Sequence, residues 1–301
     1  RNRGYELEIT ATPVLTRDFR WNTTLTWSKN DNKILSLAEG ADENQVISTV
    51  GTASIIGRVG GTTGDLWGYK LVRDPEGNVV IGDNGLPEQA DEIEYVGTAY
   101  ADWKAGWYNE FSYKGFKLGI LLDGQVGGTI YSMSFHKMME QGKLTQSLNG
   151  RLPGTEYYMD ASDPRIAAAG YTPQSGMYMI APGVVRNDDG TFSPNTKVVT
   201  IESFYKEYYR RANVETNSFD ASFLKIREIR LEYELPKKVL EKSPFSKASI
   251  AVYGRNLWCF TDYPLFDPES VALDGSSMVS GIETGSLPTT RTFGFNLNLT
   301  F

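Results

Sequence analysis

Hydrophobic and polar residues alternate along this chain far more often than they recur at helical spacing. Tyr5, Leu7, Ile9 and Ala11 alternate with Glu6, Glu8 and Thr10. After Pro13, which reads as part of a short turn, Phe19, Trp21, Thr23, Leu25 and Trp27 alternate with Arg20, Asn22, Thr24 and Thr26. Ala105, Trp107, Asn109, Phe111 and Tyr113 lead into a tight Lys114-Gly115 turn, and Phe116, Leu118, Ile120 and Leu122 follow. Further on, Ile229, Leu231, Tyr233 and Leu235 oppose Glu228, Arg230, Glu232 and Glu234. Leu224 and Ile226 have the other parity, which predicts a bulge or a switch of face near Arg227. "ASIAVYGRNLWCF" is another strand. The last one sets Phe293, Phe295, Leu297 and Leu299 against Gly294, Asn296 and Asn298, and ends on Phe301.

The pattern predicts an all-β chain of about seven long strands, near the length of about 9–11 residues with which a tilted strand crosses a bilayer. Three connections are short, at Pro13, at Lys114-Gly115 and after Pro236. Three are long, over about 30–102, 133–217 and 261–289. Short and long alternate strictly, so every long connection leaves from the same end. A membrane barrel has this arrangement, with tight periplasmic turns and long outer loops. The alternative is a soluble β-sandwich carbohydrate-binding module, whose inner faces would also be apolar. Inside the long stretches, "GYKLVRDPEGNVVIGDNG" reads as a hairpin turning at Pro75 and Gly77. "VVTIESFYKEYYRRAN" fits a short strand or a helix equally well.

Composition narrows the function. The formal net charge is -7 over 301 residues, which leaves no basic field for a nucleic acid. No run approaches the roughly 18 apolar residues of a membrane-spanning helix, while barrel strands keep average hydropathy low. One histidine, His136, and one cysteine, Cys259, leave no multi-histidine metal site and no internal disulfide. No nucleophile motif occurs, so no catalytic residue is nominated and the chain does not read as an enzyme. The stretch "IGDNGLPEQADEIE" offers Asp83, Asp91 and Glu92 to a calcium ion but lacks the spacing of a calcium loop, so a solvated loop is expected. In a barrel, Glu228, Arg230, Glu232, Glu234, Asn296 and Asn298 would face the wet lumen. Trp21, Trp27, Trp103, Tyr113 and Phe116 would suit interfacial girdles. Among the loop aromatics, Trp67, Tyr69, Tyr157, Tyr158, Tyr171 and Tyr178 would stack on a substrate, contact a lid protein, or pack against one another. Lys237, Lys238, Lys242 and Lys247 cluster at one short turn, where solvation at a membrane edge is the simplest reading.

A strand ends in Leu235-Pro236. After a short turn the next carries Gly254-Arg255-Asn256-Leu257, then Thr261-Asp262-Tyr263-Pro264 and Asp267-Pro268-Glu269. Together with "ADWKAGWYNEFSYKGFKLGILLDGQVGGTIYS", "GYELEITATPVLTRDFRWNTTLTWSKNDNKILSL" and "TRTFGFNLNLTF", in order along nearly the whole chain, these motifs resemble the SusC/RagA-like family, the TonB-dependent outer-membrane transporters of Bacteroidetes. Leu265 and the missing proline before Asp102-Trp103 depart from the pattern and leave loop conformation open. The resemblance implies a barrel of about 22 strands around a plug, of which residues 1–301 are the C-terminal part, without plug or earlier strands. It implies TonB-dependent uptake of oligosaccharides or peptides under a SusD-like surface lipoprotein. The remaining implied partners are the TonB complex through the missing part, the barrel-assembly machinery through Phe301, and the lipid bilayer.

Overall fold

The computed structural model describes residues 1–269, 272–274 and 277–301. Seven long strands form one antiparallel sheet: β1 (Asn2–Leu15), β2 (Phe19–Asn32), β3 (Trp103–Tyr113), β4 (Phe116–Val126), β5 (Phe223–Glu234), β6 (Lys247–Phe260) and β7 (Thr292–Thr300). Each pairs with its neighbours in chain order, so the sheet is a plain meander. It is one sheet, not the two facing sheets of a sandwich.

Because side chains alternate across a strand, register decides which residues share a face. Ile9, Leu25, Trp107, Leu122, Ile226 and Trp258 form one continuous row across six strands. Trp21, Phe111, Leu118, Leu231, Val252 and Phe295 form another. The opposite face carries rows such as Arg20, Ser112, Lys117, Glu232, Ala251 and Asn296. The parity change around Arg227 is a bulge: register shifts between Ile226 and Glu228, and Leu224, Ile226, Ile229 and Leu231 all stay on the apolar face. Opposite it, Asn256 adopts a left-handed φ of 50° to absorb the one extra residue of β6, where 256 and 257 stand against 227.

One polar row interrupts the apolar face, at Thr23 and Asn109. The Trp21 indole N–H donates to Asn109 Oδ1 at 3.0 Å, and the Trp107 indole N–H donates to Thr23 Oγ1 at 2.8 Å. Both polar groups are therefore satisfied within the sheet, which lowers the cost of their position.

The tight turns fall at one end. Lys114 and Gly115 both have positive φ, 45° and 89°, which is the backbone of a two-residue hairpin turn matched to strand twist. Pro13 does not lie in the first turn, contrary to the sequence reading. It sits within β1 at a register shift between Ala11 and Val14, where no ladder N–H is required, and the chain reverses at 16–18. There Thr16 Oγ1 accepts from the Phe19 N–H at 3.0 Å.

The long connections run over 33–102, 127–222 and 261–291 from the other end. Positions 270–271 and 275–276 of the expected outer stretch 261–289 lie outside the described residues. The connections pack together. A four-stranded sheet (Asn44–Val50, Ala53–Arg58, Asp65–Gly68, Glu94–Thr98) belongs to the first. A three-stranded sheet unites Thr129–Ser132 and Ser218–Asp220 of the second with Ile282–Glu283 of the third. Leu66, Tyr131, Val214 and Ile282 meet in one core, and Ile81, Met139, Met179 and Ile201 meet in another. "DPEGN" forms the expected turn, closed by the Gly77 N–H on the Asp74 carbonyl at 3.0 Å.

Candidate functional site

The polar face of the sheet is laced with ion pairs. Arg255 Nε lies 2.6 Å from Glu228 Oε2, Arg230 2.7 Å from Glu232, and Lys117 4.0 Å from Glu234. Asn296 and Asn298 lie on the same face, opposite Ala251 and Ser249. All six residues that the strand pattern assigned to one wet face thus share one face. They differ in partner: the carboxylates are neutralised in place, and the Asn298 amide donates to Ser249 Oγ at 3.5 Å.

Near the long-loop end, this face holds a buried charge cluster. Lys225 Nζ lies 2.6 Å from Asp267 Oδ1, with both side chains almost fully buried, and it also bonds Glu269. Arg227 reaches Glu269 and Asp123, both at 2.6 Å. Lys225 sits 4.6 Å above the Phe223 ring, and the Arg227 guanidinium 5.7 Å from it. Burial pushes the Asp267 carboxyl up, but the Lys225 ammonium and the Glu269 backbone N–H outweigh it and hold the group below the usual carboxylate range. The Asp267-Pro268-Glu269 motif is thereby a clasp that fastens the third long connection onto strand β5. Next to it Tyr263 is buried against Ile130 and Ala221.

A second link joins the third connection to helix α1 (Met133–Glu140). The buried Glu283 carboxylate accepts from Ser132 Oγ at 2.6 Å, Ser134 Oγ at 2.7 Å, and the Ser134 and Ser286 N–H groups at 3.3 and 2.8 Å. It caps a helix N-terminus, where backbone dipoles favour an anion. His136, on the same helix, is structural. Its Nδ1 lies 2.7 Å from the Tyr209 carbonyl, so Nδ1 carries the proton and donates, while the buried Nε2 makes no hydrogen bond among the described residues and lies 3.8 Å from Glu140 Oε2. Burial lowers its pKa, and the Tyr209 carbonyl and Glu140 offset this only in part.

The loop assembly contains an aromatic cleft of about 470 Å³, lined among others by Arg73, Asn78, Tyr157, Tyr205, Tyr208 and Tyr209. Its wall is helix α2 (Ile201–Tyr208), which settles the strand-or-helix ambiguity. Val198–Thr200 is a strand, and Thr200 then caps the helix, its Oγ1 accepting from the Ser203 N–H at 3.1 Å. Helical spacing stacks Phe204 on Tyr208 at 5.3 Å and Tyr205 on Tyr209 at 5.9 Å. The Tyr205 hydroxyl donates to the Gln146 and Asn149 carbonyls, both at 3.1 Å, and fixes the stack. Burial pushes the Tyr208 and Tyr209 phenols up, so the cleft presents neutral hydroxyls and ring faces.

Of the loop aromatics singled out from sequence, Tyr157 lines this cleft. The others lie elsewhere. Trp67 packs edge-on against Tyr95, Tyr178 lies tilted against Tyr171 at 4.8 Å between ring centroids, and Tyr69 gives its carbonyl to the Val214 N–H. Tyr158 is half-buried beyond the cleft lining. Phe204, Tyr205, Tyr208 and Tyr209 were not singled out. Their i, i+4 repeat was the available signal. Asp83, Asp91 and Glu92 are not gathered into a ligand set: Asp83 pairs with Lys197 at 3.1 Å. Among the described residues no group of three or more His, Cys, Asp or Glu is placed to hold a metal.

No family model matches the chain. Over its whole length it is 26% identical to TonB-dependent receptor P3 and 24% identical to TonB-dependent receptor P26, both of Formosa agariphila. It spans 28% and 29% of the length of those two relatives. Among solved structures, the whole chain superposes on the RagAB peptide importer in its closed-closed state with a TM-score of 0.63 at 15% identity, covering 29% of that chain. For the open-open state the TM-score is 0.61 at 14% identity, covering 28% of that chain. The chain has the fold of a stretch of a large outer-membrane β-barrel with its loops.

Proposed function

From the premise that this chain is a stretch of the barrel of a SusC/RagA-like TonB-dependent receptor in the outer membrane, we propose that it forms the C-terminal part of the barrel wall and outer loops of a nutrient importer. The apolar face meets lipid and the polar face lines the lumen. The long connections face outward, under a SusD-like lipoprotein, and the tight turns face the periplasm. Plug, TonB contact and earlier strands belong to the remainder of a protein several times this length. The cargo is an oligosaccharide or a peptide. The residues described act by contact and charge, not by bond-breaking chemistry.

The single observation that carries this reading is the seven-strand meander with one apolar face and one ion-paired face. A soluble domain buries its apolar face against a second layer. Here that face stays open even on strands paired on both sides: Trp107 and Val252 are 45% and 55% exposed. Seven strands from about 22 also agree with a chain covering under a third of its relatives. The test is uptake by cells carrying or lacking the full-length gene, on defined oligosaccharide and peptide mixtures, with and without a functional TonB. Loss of uptake of one cargo class in both the gene deletion and the TonB mutant is expected. Unchanged uptake in the deletion strain, or a full-length protein that is monodisperse without detergent, would overturn the proposal.

A further inference from the structure

The two ends of the wall carry opposite charge. The three tight turns, over 16–18, 114–115 and 235–246, hold Arg17, Lys114, Lys237, Lys238 and Lys242 against Asp18 and Glu241. The first long connection, 33–102, holds twelve Asp or Glu against four Lys or Arg. Among the described residues none of the five turn cations pairs with a carboxylate. Lys237, Lys238 and Lys242 are exposed on a hydrogen-bonded turn. In it the Val239 N–H donates to the Pro236 carbonyl at 2.9 Å and the Ser246 N–H to the Thr300 carbonyl at 2.7 Å.

Apolar groups stand among these cations. Val239 is 61% exposed, and Phe301, 84% exposed, rests on Phe245 at 5.1 Å between ring centroids. The apolar face ends beside them, in exposed Tyr113, Phe116, Ile250 and Leu297. A merely solvated edge requires the lysines but not an exposed valine and phenylalanine beside them. Lysine stems lie along hydrocarbon while their ammonium groups reach the polar layer, and aromatic rings settle at the same depth.

We propose that this end of the wall, centred on Lys237, Lys238 and Lys242 with Val239, Phe245 and Phe301, is a docking surface for anionic phospholipid headgroups of the leaflet it faces. The ammonium groups take phosphate oxygens, and the apolar groups enter the acyl boundary. The acidic loop end, of opposite sign, has no such attraction. The inference rests on the reading of the sheet as a membrane wall.

The test uses the full-length receptor reconstituted in bilayers of phosphatidylethanolamine doped with phosphatidylglycerol. It is then stripped gently, and the retained lipids are counted by mass spectrometry. Wild type should retain phosphatidylglycerol over phosphatidylethanolamine, and high salt should erase the preference. The Lys237→Gln, Lys238→Gln, Lys242→Gln triple variant should lower that preference on the order of tenfold or more, while the corresponding Arg triple keeps it. Equal retention of both lipids by wild type, or an unchanged preference in the Gln triple, overturns the inference and leaves the wall reading intact. If the Gln triple does not assemble, salt dependence in wild type decides alone. A receptor that takes up no lipid at all overturns both.

Discussion

The wall and the loop assembly are made of the same chain and solve opposite problems. In the wall, long strands satisfy their backbone by pairing with neighbours, and large apolar side chains remain outside: Tyr5 is 75% exposed and Leu231 44%. In the loops, strands of two to seven residues are held by side chains buried from all sides, such as Leu66, Tyr131 and Met179 at 0% exposure. The wall has ladders and lacks a core. The loops have cores and short ladders. A sheet that keeps its apolar face open depends on a solvent that is itself apolar, whereas the loop assembly follows the rules of a water-soluble domain. The Lys225–Asp267 clasp stands where the two regimes meet.

The clasp should show the largest effect. Lys225→Met leaves the Asp267 carboxylate buried without its cation, which costs about 3–5 kcal/mol. It should free the segment 261–269, read as faster amide hydrogen exchange there in the full-length receptor. Adding Asp267→Leu should restore most of the protection, because a matched apolar pair replaces a matched ionic one. If the double variant is as exposed as the single, the clasp has a role beyond holding the loop.

Next in size is the contrast between the two faces of β5. Leu231→Arg should cost about 2–4 kcal/mol in bilayer refolding if its row meets mid-membrane lipid. Glu232→Gln, on the other face, gives up a pair with Arg230 whose side chains are 35% and 17% exposed but keeps the hydrogen-bonding shape, and should cost about 1 kcal/mol. Equal costs would remove the distinction between the faces.

Much of this organisation was legible in the sequence. Period-two alternation marked the wall strands, because one face meets a different medium from the other and each slip would be penalised. The bulge at Arg227 was visible as a break in parity. Pro13 was misplaced because proline marks both turns and bulges, and only pairing distinguishes them. The loop assembly was not legible. Its short strands give too few residues for a period, and its contacts join distant segments. Arg73 to Glu215 and Gln89 to Asn213 are examples. The aromatic cleft was half seen: Tyr157 was noted, but Tyr205, Tyr208 and Tyr209 become a stack only once Thr200 starts a helix. Lys225 followed the polar parity of its strand, yet nothing local announced its partner at Asp267.

Two smaller effects belong to the loops alone. Thr200→Ala removes the cap of α2 and should cost about 1 kcal/mol, read as increased proteolysis near the cleft with the wall unchanged. His136 should make the loops acid-sensitive. Burial lowers its folded-state pKa below the unfolded 6.5, so the unfolded state binds the proton first as pH falls. Its contribution is complete above about 6.5 and declines as pH drops toward the folded value. Glu140, Lys137 and Arg211 are the charges that face it. Protection of the α1 amides, taken relative to the intrinsic base-catalysed exchange rate at each pH, should therefore fall between pH 7.5 and 5.5, and His136→Gln should flatten that dependence. A pH effect that survives the substitution would assign it to other groups.

The most direct test of the membrane wall is a spin-label scan along Thr292–Thr300 in the full-length receptor, in a Cys259→Ser background and reconstituted in lipid. Labels at 293, 295, 297 and 299 should be accessible to oxygen dissolved in the bilayer. Those at 294, 296 and 298 should respond to a water-soluble relaxation agent. A period-two alternation of opposite phase for the two agents is the expected result. Uniform aqueous accessibility at all seven positions, or oxygen accessibility at the Asn296 and Asn298 sites instead, would contradict it.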